Sequence, residues 1–179
     1  DALALDLVEK RLVTRQLTLT AGYDIENLKD PGIRSGYHGE IKTDAYGRAV
    51  PKHSHGTANL SCPTSSSRQL TQAITGLFQQ IVNPNLLVRR LTVTANNVTP
   101  EDLIPQEDTY EQLDLFTDYG LLERQRSEEK AALEKERKLQ EAMLEIKKKY
   151  GENSILKGMN LQEGATARER NNQIGGHKA

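Results

Sequence analysis

"QLTLTAGYD" occupies residues 16–24 and alternates strictly. Leu17, Leu19 and Ala21 fall on one side, and Gln16, Thr18, Thr20 and Gly22 on the other. A period of two with small apolar residues on one side predicts a strand with one buried face. Upstream, Leu3, Leu5, Leu7, Val8 and Leu12 suit a short amphipathic helix. Downstream, residues 24–51 hold Pro31, Pro51, Gly32, Gly36, Gly39 and Gly47. They read as a long hairpin connection with strand extensions near 40–43.

"HGTANLS" (55–61) predicts a second strand. "SSSRQLTQAITGLFQQIV" (65–82) opens on serine caps and carries Leu70, Ile74, Leu77, Phe78 and Ile81 at helical spacing. "NPN" (83–85) stops that helix, and "LLVRRLTVTANNV" (86–98) predicts a third strand. The order is α-β-β-α-β. The expected fold class is α+β, a small mixed sheet with two helices on one face. It looks like a split βαβ arrangement whose first strand is missing.

Composition changes near residue 105, the expected end of this domain. Between 106 and 120 lie five carboxylates (Glu107, Asp108, Glu111, Asp114, Asp118) and no Lys or Arg. This acidic linker nevertheless displays Leu113, Leu115 and Phe116. From 121 to 150 the chain predicts one charged helix, with nine basic and seven acidic residues and a thin stripe of Leu139, Met143, Ile146 and Tyr150. Its heptads fail at Glu129 and Glu136, which argues against a long coiled coil. Residues 151–179 are glycine-rich with little periodicity and read as a flexible tail.

Bulk composition narrows the function. The 179 residues are 36% hydrophobic and only 4% aromatic, so the core must be aliphatic and modest. A net charge of −1 names no partner. The single Cys62 rules out an internal disulfide and fits a reducing cytosol. No apolar run approaches the roughly 20 residues of a membrane span. The chain opens on Asp1 inside a helical pattern and reads as a fragment of something longer.

Between Lys29 and Arg90, eight basic residues face three acidic ones, a surplus of 8 − 3 = 5. Lys42, Arg48, Lys52, Arg68 and Arg89, with His53, His55 and Thr57, are the donors suited to nucleic-acid phosphates. A solvated sheet face explains the same residues equally well. No aromatic ladder suits single-strand stacking, so a duplex backbone is the preferred partner. In the third strand Arg89 and Arg90 alternate. Arg89 is the expected solvent-facing one, sharing its side with Leu91 and Val93 while Val88, Thr92 and Thr94 are expected inside. His53, His55 and Cys62 lack the spacing of a metal site, and ordinary strand and loop roles are the better reading. No nucleophile elbow and no phosphate-binding glycine loop is present, so no catalytic residue is assigned.

"QLDLF" (Gln112, Leu113, Asp114, Leu115, Phe116) admits two readings of equal weight on residue types alone: a segment packing back on the domain, or a peptide for a partner. Burying three such side chains is worth about 5–9 kcal/mol gross. Ordering an extended chain costs about 1–2 kcal/mol per residue. The small balance suits a weak, reversible peptide contact.

The pentapeptide resembles the motif by which bacterial replication and repair proteins bind the sliding clamp. "VPKHSHGTANL" (50–60), "IVNPNLLVRRLTVTANNV" (81–98) and "ILKGMNLQEGATARERNNQIGGHKA" (155–179) resemble the C-terminal third of Y-family DNA polymerases, in the ultraviolet-damage repair branch of Gram-positive bacteria and their mobile elements. The resemblance implies that residues 1–105 form a little-finger domain gripping duplex DNA without sequence preference. It implies that Gln112 bonds at the rim of the clamp pocket and that Leu113, Leu115 and Phe116 fill it. The implied partners are duplex DNA, the bacterial clamp and the polymerase's upstream palm and fingers. The implied setting is the cytoplasm, at the nucleoid, in DNA-damage tolerance. Magnesium and its carboxylates belong to the palm, so no cofactor and no polymerase chemistry are expected of this segment itself. The alternative is an interaction adaptor that binds a partner through 121–179, with the α+β part as scaffold.

Overall fold

A computed structural model describes residues 1–104, 119–174 and 177–178. The chain divides into two units, Asp1–Asp108 and Thr109–Ala179.

The first unit is α+β. Helix α1 (Ala2–Glu9) buries Ala4, Leu5, Leu7 and Val8. Arg11 then turns the chain with a left-handed φ of 52°. Strand β1 (Leu12–Tyr23) follows, and its buried Leu17, Leu19, Ala21 and Tyr23 keep the predicted alternation. The connection carries two short helices, α2 (Glu26–Lys29) and α3 (Pro31–Gly36). A hairpin of β2 (Ile41–Thr43) and β3 (Ala49–Pro51) completes it. Strand β4 (Ser54–Thr64) leads into α4 (Ser67–Ile81). The Ser66 side chain caps α4 by accepting from the Gln69 N–H at 3.2 Å. Strand β5 (Val88–Pro100) ends the fold.

The main sheet has the order β4-β1-β5. Both pairings are antiparallel, where a mixed sheet was expected. The cause is the placement of β1. It lies in the middle, and both later strands run back along it. The opening strand that the resemblance implies is not among the described residues.

Helices α1 and α4 pack on one face, over β1 and β4. Ala4, Leu7, Leu17 and Leu70 form the core cluster, flanked by Leu3, Leu12, Leu60, Ala73, Ile74 and Ala95. Gly56 of β4 allows the close approach of α4. A Cβ there would lie 3.1 Å from side-chain carbons of both Leu77 and Ile81. The helices cover β5 only in part, with Ala95 packed against the core. Leu91 and Val93 lie opposite the buried Ala21 and Leu19, yet they are 52% and 38% exposed.

In the second unit, helix α5 (Tyr119–Tyr150) runs 32 residues. Lys147, Lys148 and Lys149 crowd its last turn, where the helix dipole favours cations. Lys138–Glu134 (3.0 Å) and Arg137–Glu141 (2.9 Å) are ion pairs one turn apart. Gly151 ends the helix with φ +94°, as a left-handed cap requires. The segment beyond was expected to hold little regular structure. It carries a 3-10 turn (Gly158–Leu161), α6 (Ala167–Asn171), and a minimal hairpin of β6 (Gln173–Ile174) with β7 (His177–Lys178). The Asn153 amide holds this segment together, donating to the Arg168 carbonyl at 3.2 Å and to Asn172 Oδ1 at 2.8 Å. Asn171 donates back to Asn153 Oδ1 at 2.9 Å.

Candidate nucleic-acid interface

The register of the three strands builds the site. Residues directly opposite in a sheet share a face. Gln16 lies between Asn59 and Asn96, Thr18 between Thr57 and Thr94, and Thr20 between His55 and Thr92. Gly22 lies opposite Arg90. The face turned away from α1 and α4 is therefore a grid of hydroxyls, amides and an imidazole, with one guanidinium at its end. None of these residues is a carboxylate.

Side-chain hydrogen bonds tie the grid across strands. Gln16 Nε2 donates to Asn59 Oδ1 at 2.9 Å. Asn96 Nδ2 donates to Thr18 Oγ1 at 2.6 Å and, more loosely, to Gln16 Oε1 at 3.4 Å. Thr20 Oγ1 and His55 Nδ1 are 3.0 Å apart. These bonds hold the groups in place. His55, Thr57, Thr92 and Thr94 are exposed. Gly22 leaves the surface low beside Arg90. The Arg90 guanidinium makes no ion pair among the described residues.

The sequence-predicted donors divide into three groups. His55 and Thr57 stand on the grid, and His53 sits just before it. Lys42, Arg48 and Lys52 belong to the β2–β3 hairpin and are all ion-paired. Lys52 Nζ lies 2.7 Å and Lys42 Nζ 3.7 Å from the Glu40 carboxylate. Arg48 lies 2.7 Å from Asp44. The hydrogen bond from Lys52 holds the Glu40 carboxyl below its ordinary value, and that from Arg48 does the same for Asp44. Arg68 lies in the first turn of α4, in the helix layer on the other side of the sheet.

Arg89 was expected to be the arginine on the solvent face; the register places Arg90 opposite Gly22 there, while Arg89 is also exposed. A bulge between Gly22 and Tyr23 leaves Arg89 without a partner on β1, and it reaches Asp24 at 3.7 Å. Arg90, Thr92 and Thr94 occupy the grid, and Leu91 and Val93 lie on the helix side. Burial along β5 is a poor guide because the helices cover that strand only in part. Val88, Thr92 and Thr94, expected inside, are exposed like their neighbours. Gln16, Thr18, Thr20, Arg90, Thr92, Thr94 and Asn96 were missed as site residues. The alternation of Gln and Thr in β1 was the signal for Gln16, Thr18 and Thr20, and that of Arg90, Thr92, Thr94 and Asn96 in β5 for the rest.

His53 and His55 stand at the start of β4 and Cys62 near its far end, about 23 Å away at the rise of a strand. No cluster of three or more metal-ligating side chains occurs among the described residues. The clamp-motif residues 112–116 lie outside the described residues. No helix among the described residues is long and apolar enough to cross a membrane.

No curated protein and no solved structure matches the chain. Residues 1–115 match the impB/mucB/samB family C-terminal domain. This domain class forms the C-terminal region of Y-family DNA polymerases and is generally DNA-binding. The polar sheet face fits that setting, and the chain belongs to the impB/mucB/samB family, its first 115 residues being the family's C-terminal domain.

Proposed function

We propose that the first unit grips duplex DNA on the β4-β1-β5 face and that Gln112–Phe116 tethers it to a sliding clamp. The parent would be a translesion polymerase of the ultraviolet-damage repair branch. One observation carries the grip: a three-strand lattice of neutral donors, ending in Arg90, with no carboxylate on it. Hydroxyls, amides and an arginine suit phosphate oxygens of any sequence. The flat grid offers no projecting helix to read bases, in keeping with a sequence-independent hold.

The tether rests on the pentapeptide and its acidic surroundings. Confining a weak ligand near a ring on DNA raises its effective concentration, so a modest peptide affinity suffices. The catalytic carboxylates and their magnesium would lie in the upstream palm.

Two measurements test the proposal. Fluorescence anisotropy on a blunt duplex should show binding that weakens with salt. A salt-independent signal rejects the phosphate grip. Calorimetry against a bacterial clamp should show binding that is lost when Leu115→Ala and Phe116→Ala are combined. Unchanged affinity in that double variant rejects the tether.

The adaptor reading draws on the second unit, where Leu139, Tyr150, Met159 and Leu161 are all more than half exposed. Pull-downs with and without residues 121–179 separate it from the DNA reading.

A further inference from the structure

The β2–β3 hairpin is a rigid finger with an aromatic tip. Asp44 organises the turn. One carboxylate oxygen accepts from the Tyr46 N–H at 2.9 Å and the Arg48 N–H at 3.0 Å. The other accepts from Arg48 Nε at 2.8 Å. Gly47, at φ +75°, supplies the left-handed residue that the turn needs. The Arg48 guanidinium, fixed by Asp44, stacks 4.9 Å from the centre of the Tyr46 ring. The Tyr46 side chain is nevertheless 82% exposed. Its ring thus has one face backed by a cation and the other open to a second π-system. At the base of the finger, Tyr37 donates to the Glu40 carbonyl at 2.7 Å, and the Lys52 N–H donates to the same carbonyl at 2.8 Å.

The finger's position matters. Lys52 and His53 alone join β3 to β4, whose first residues pair with Ala21 and Thr20. The hairpin therefore leaves the sheet at the end where His55 and Arg90 stand. Three hairpin cations (Lys42, Arg48, Lys52) face two carboxylates (Glu40, Asp44), a surplus of 3 − 2 = 1.

We propose that Tyr46, backed by Arg48, is a stacking platform for an unpaired nucleobase next to the duplex held on the sheet. This rests on the duplex reading above. Inside a duplex both faces of every base are already stacked. Away from the duplex ends, an unpaired nucleotide is what offers a free face to an exposed ring, and its phosphate suits the lysines at the finger's base. A single platform differs from the ladder of aromatics that holds long single strands, so one or two nucleotides are the expected occupants.

The test uses the full chain with two probes: a blunt duplex, and the same duplex with a short single-stranded overhang carrying 2-aminopurine, on either strand. Wild type should bind one of the overhang probes about fivefold more tightly than the blunt one, the lower end of base–aromatic stacking, and quench its 2-aminopurine. Tyr46→Ala should lose both effects while keeping the blunt-duplex affinity, and Tyr46→Phe and Tyr46→Trp should retain them. Blunt binding without any overhang gain in wild type overturns the inference alone. So does a full overhang gain in Tyr46→Ala, or a Tyr46→Phe that behaves like Tyr46→Ala. A wild type that does not bind the blunt duplex overturns the duplex reading and this inference with it.

Discussion

Asn27 and Leu87, sixty residues apart, exchange two hydrogen bonds: the Asn27 amide donates to the Leu87 carbonyl at 2.9 Å, and the Leu87 N–H donates to Asn27 Oδ1 at 2.7 Å. Asn27 is fully buried and also donates to the Asp24 carbonyl at 2.8 Å. The side chain thus acts as a piece of backbone, fastening the start of β5 to the end of β1. Arg90 stands three residues further along β5. Replacing Asn27 by Leu removes the acceptor of the part-buried Leu87 N–H and both donations of its own amide. The expected loss is about 1–3 kcal/mol of stability, read in urea melts. Duplex affinity should fall as well, because the entry of β5 is no longer held.

Gly56 sets the spacing between sheet and helix. A Val there must push against Leu77 and Ile81, whose methyl carbons already lie 3.1 Å from the position of a Cβ. Overpacking of this kind costs about 1–3 kcal/mol, so Gly56→Val should melt earlier. Thr57→Val, one residue along on the open face, should change the melt little.

Arg90 and Arg89 separate grip from structure. Arg90→Ala should weaken duplex binding and lower the slope of log affinity against log salt by about one, the signature of a lost phosphate contact. Arg89→Ala removes an arginine already engaged with Asp24 and should leave that slope unchanged. Salt titrations of the two variants side by side make the comparison.

Acid should loosen the hairpin. Glu40 and Asp44 titrate below their ordinary values of 4.5 and 3.8 because Lys52 and Arg48 hydrogen-bond their charged forms. A carboxyl whose folded value is lowered contributes order above the unfolded value. That contribution is lost as pH falls through the folded value. The finger should therefore be intact at neutral pH and come apart only in acid beyond the ordinary carboxyl range. Both pairs are exposed, so global stability should change little over the same range. The Tyr46 ring and Arg48 Nε resonances in an NMR pH titration follow this directly.

Leu17, Leu19 and Ala21 declared β1 at first reading, because a half-buried strand writes its burial into every second residue. Ser66 and the spacing of Leu70, Ile74 and Leu77 declared α4 in the same way. β5 was legible as a strand, but its faces were not. Leu91 and Val93 lie on the helix side but are only partly covered there, so their exposure misdirects any reading based on burial. The clamp pentapeptide is visible only in the sequence, since residues 112–116 lie outside the described part of the structure.

Local periodicity determined the order of the main strands and helices, because alternation and helical spacing are properties of neighbouring residues. Membership of a face and the antiparallel register of the main sheet were decided by tertiary structure alone. They depend on which residue lies opposite which across long stretches of chain, as Ala21 lies opposite Ser54 and Leu12 opposite Pro100, and side-chain chemistry along one strand does not encode that choice.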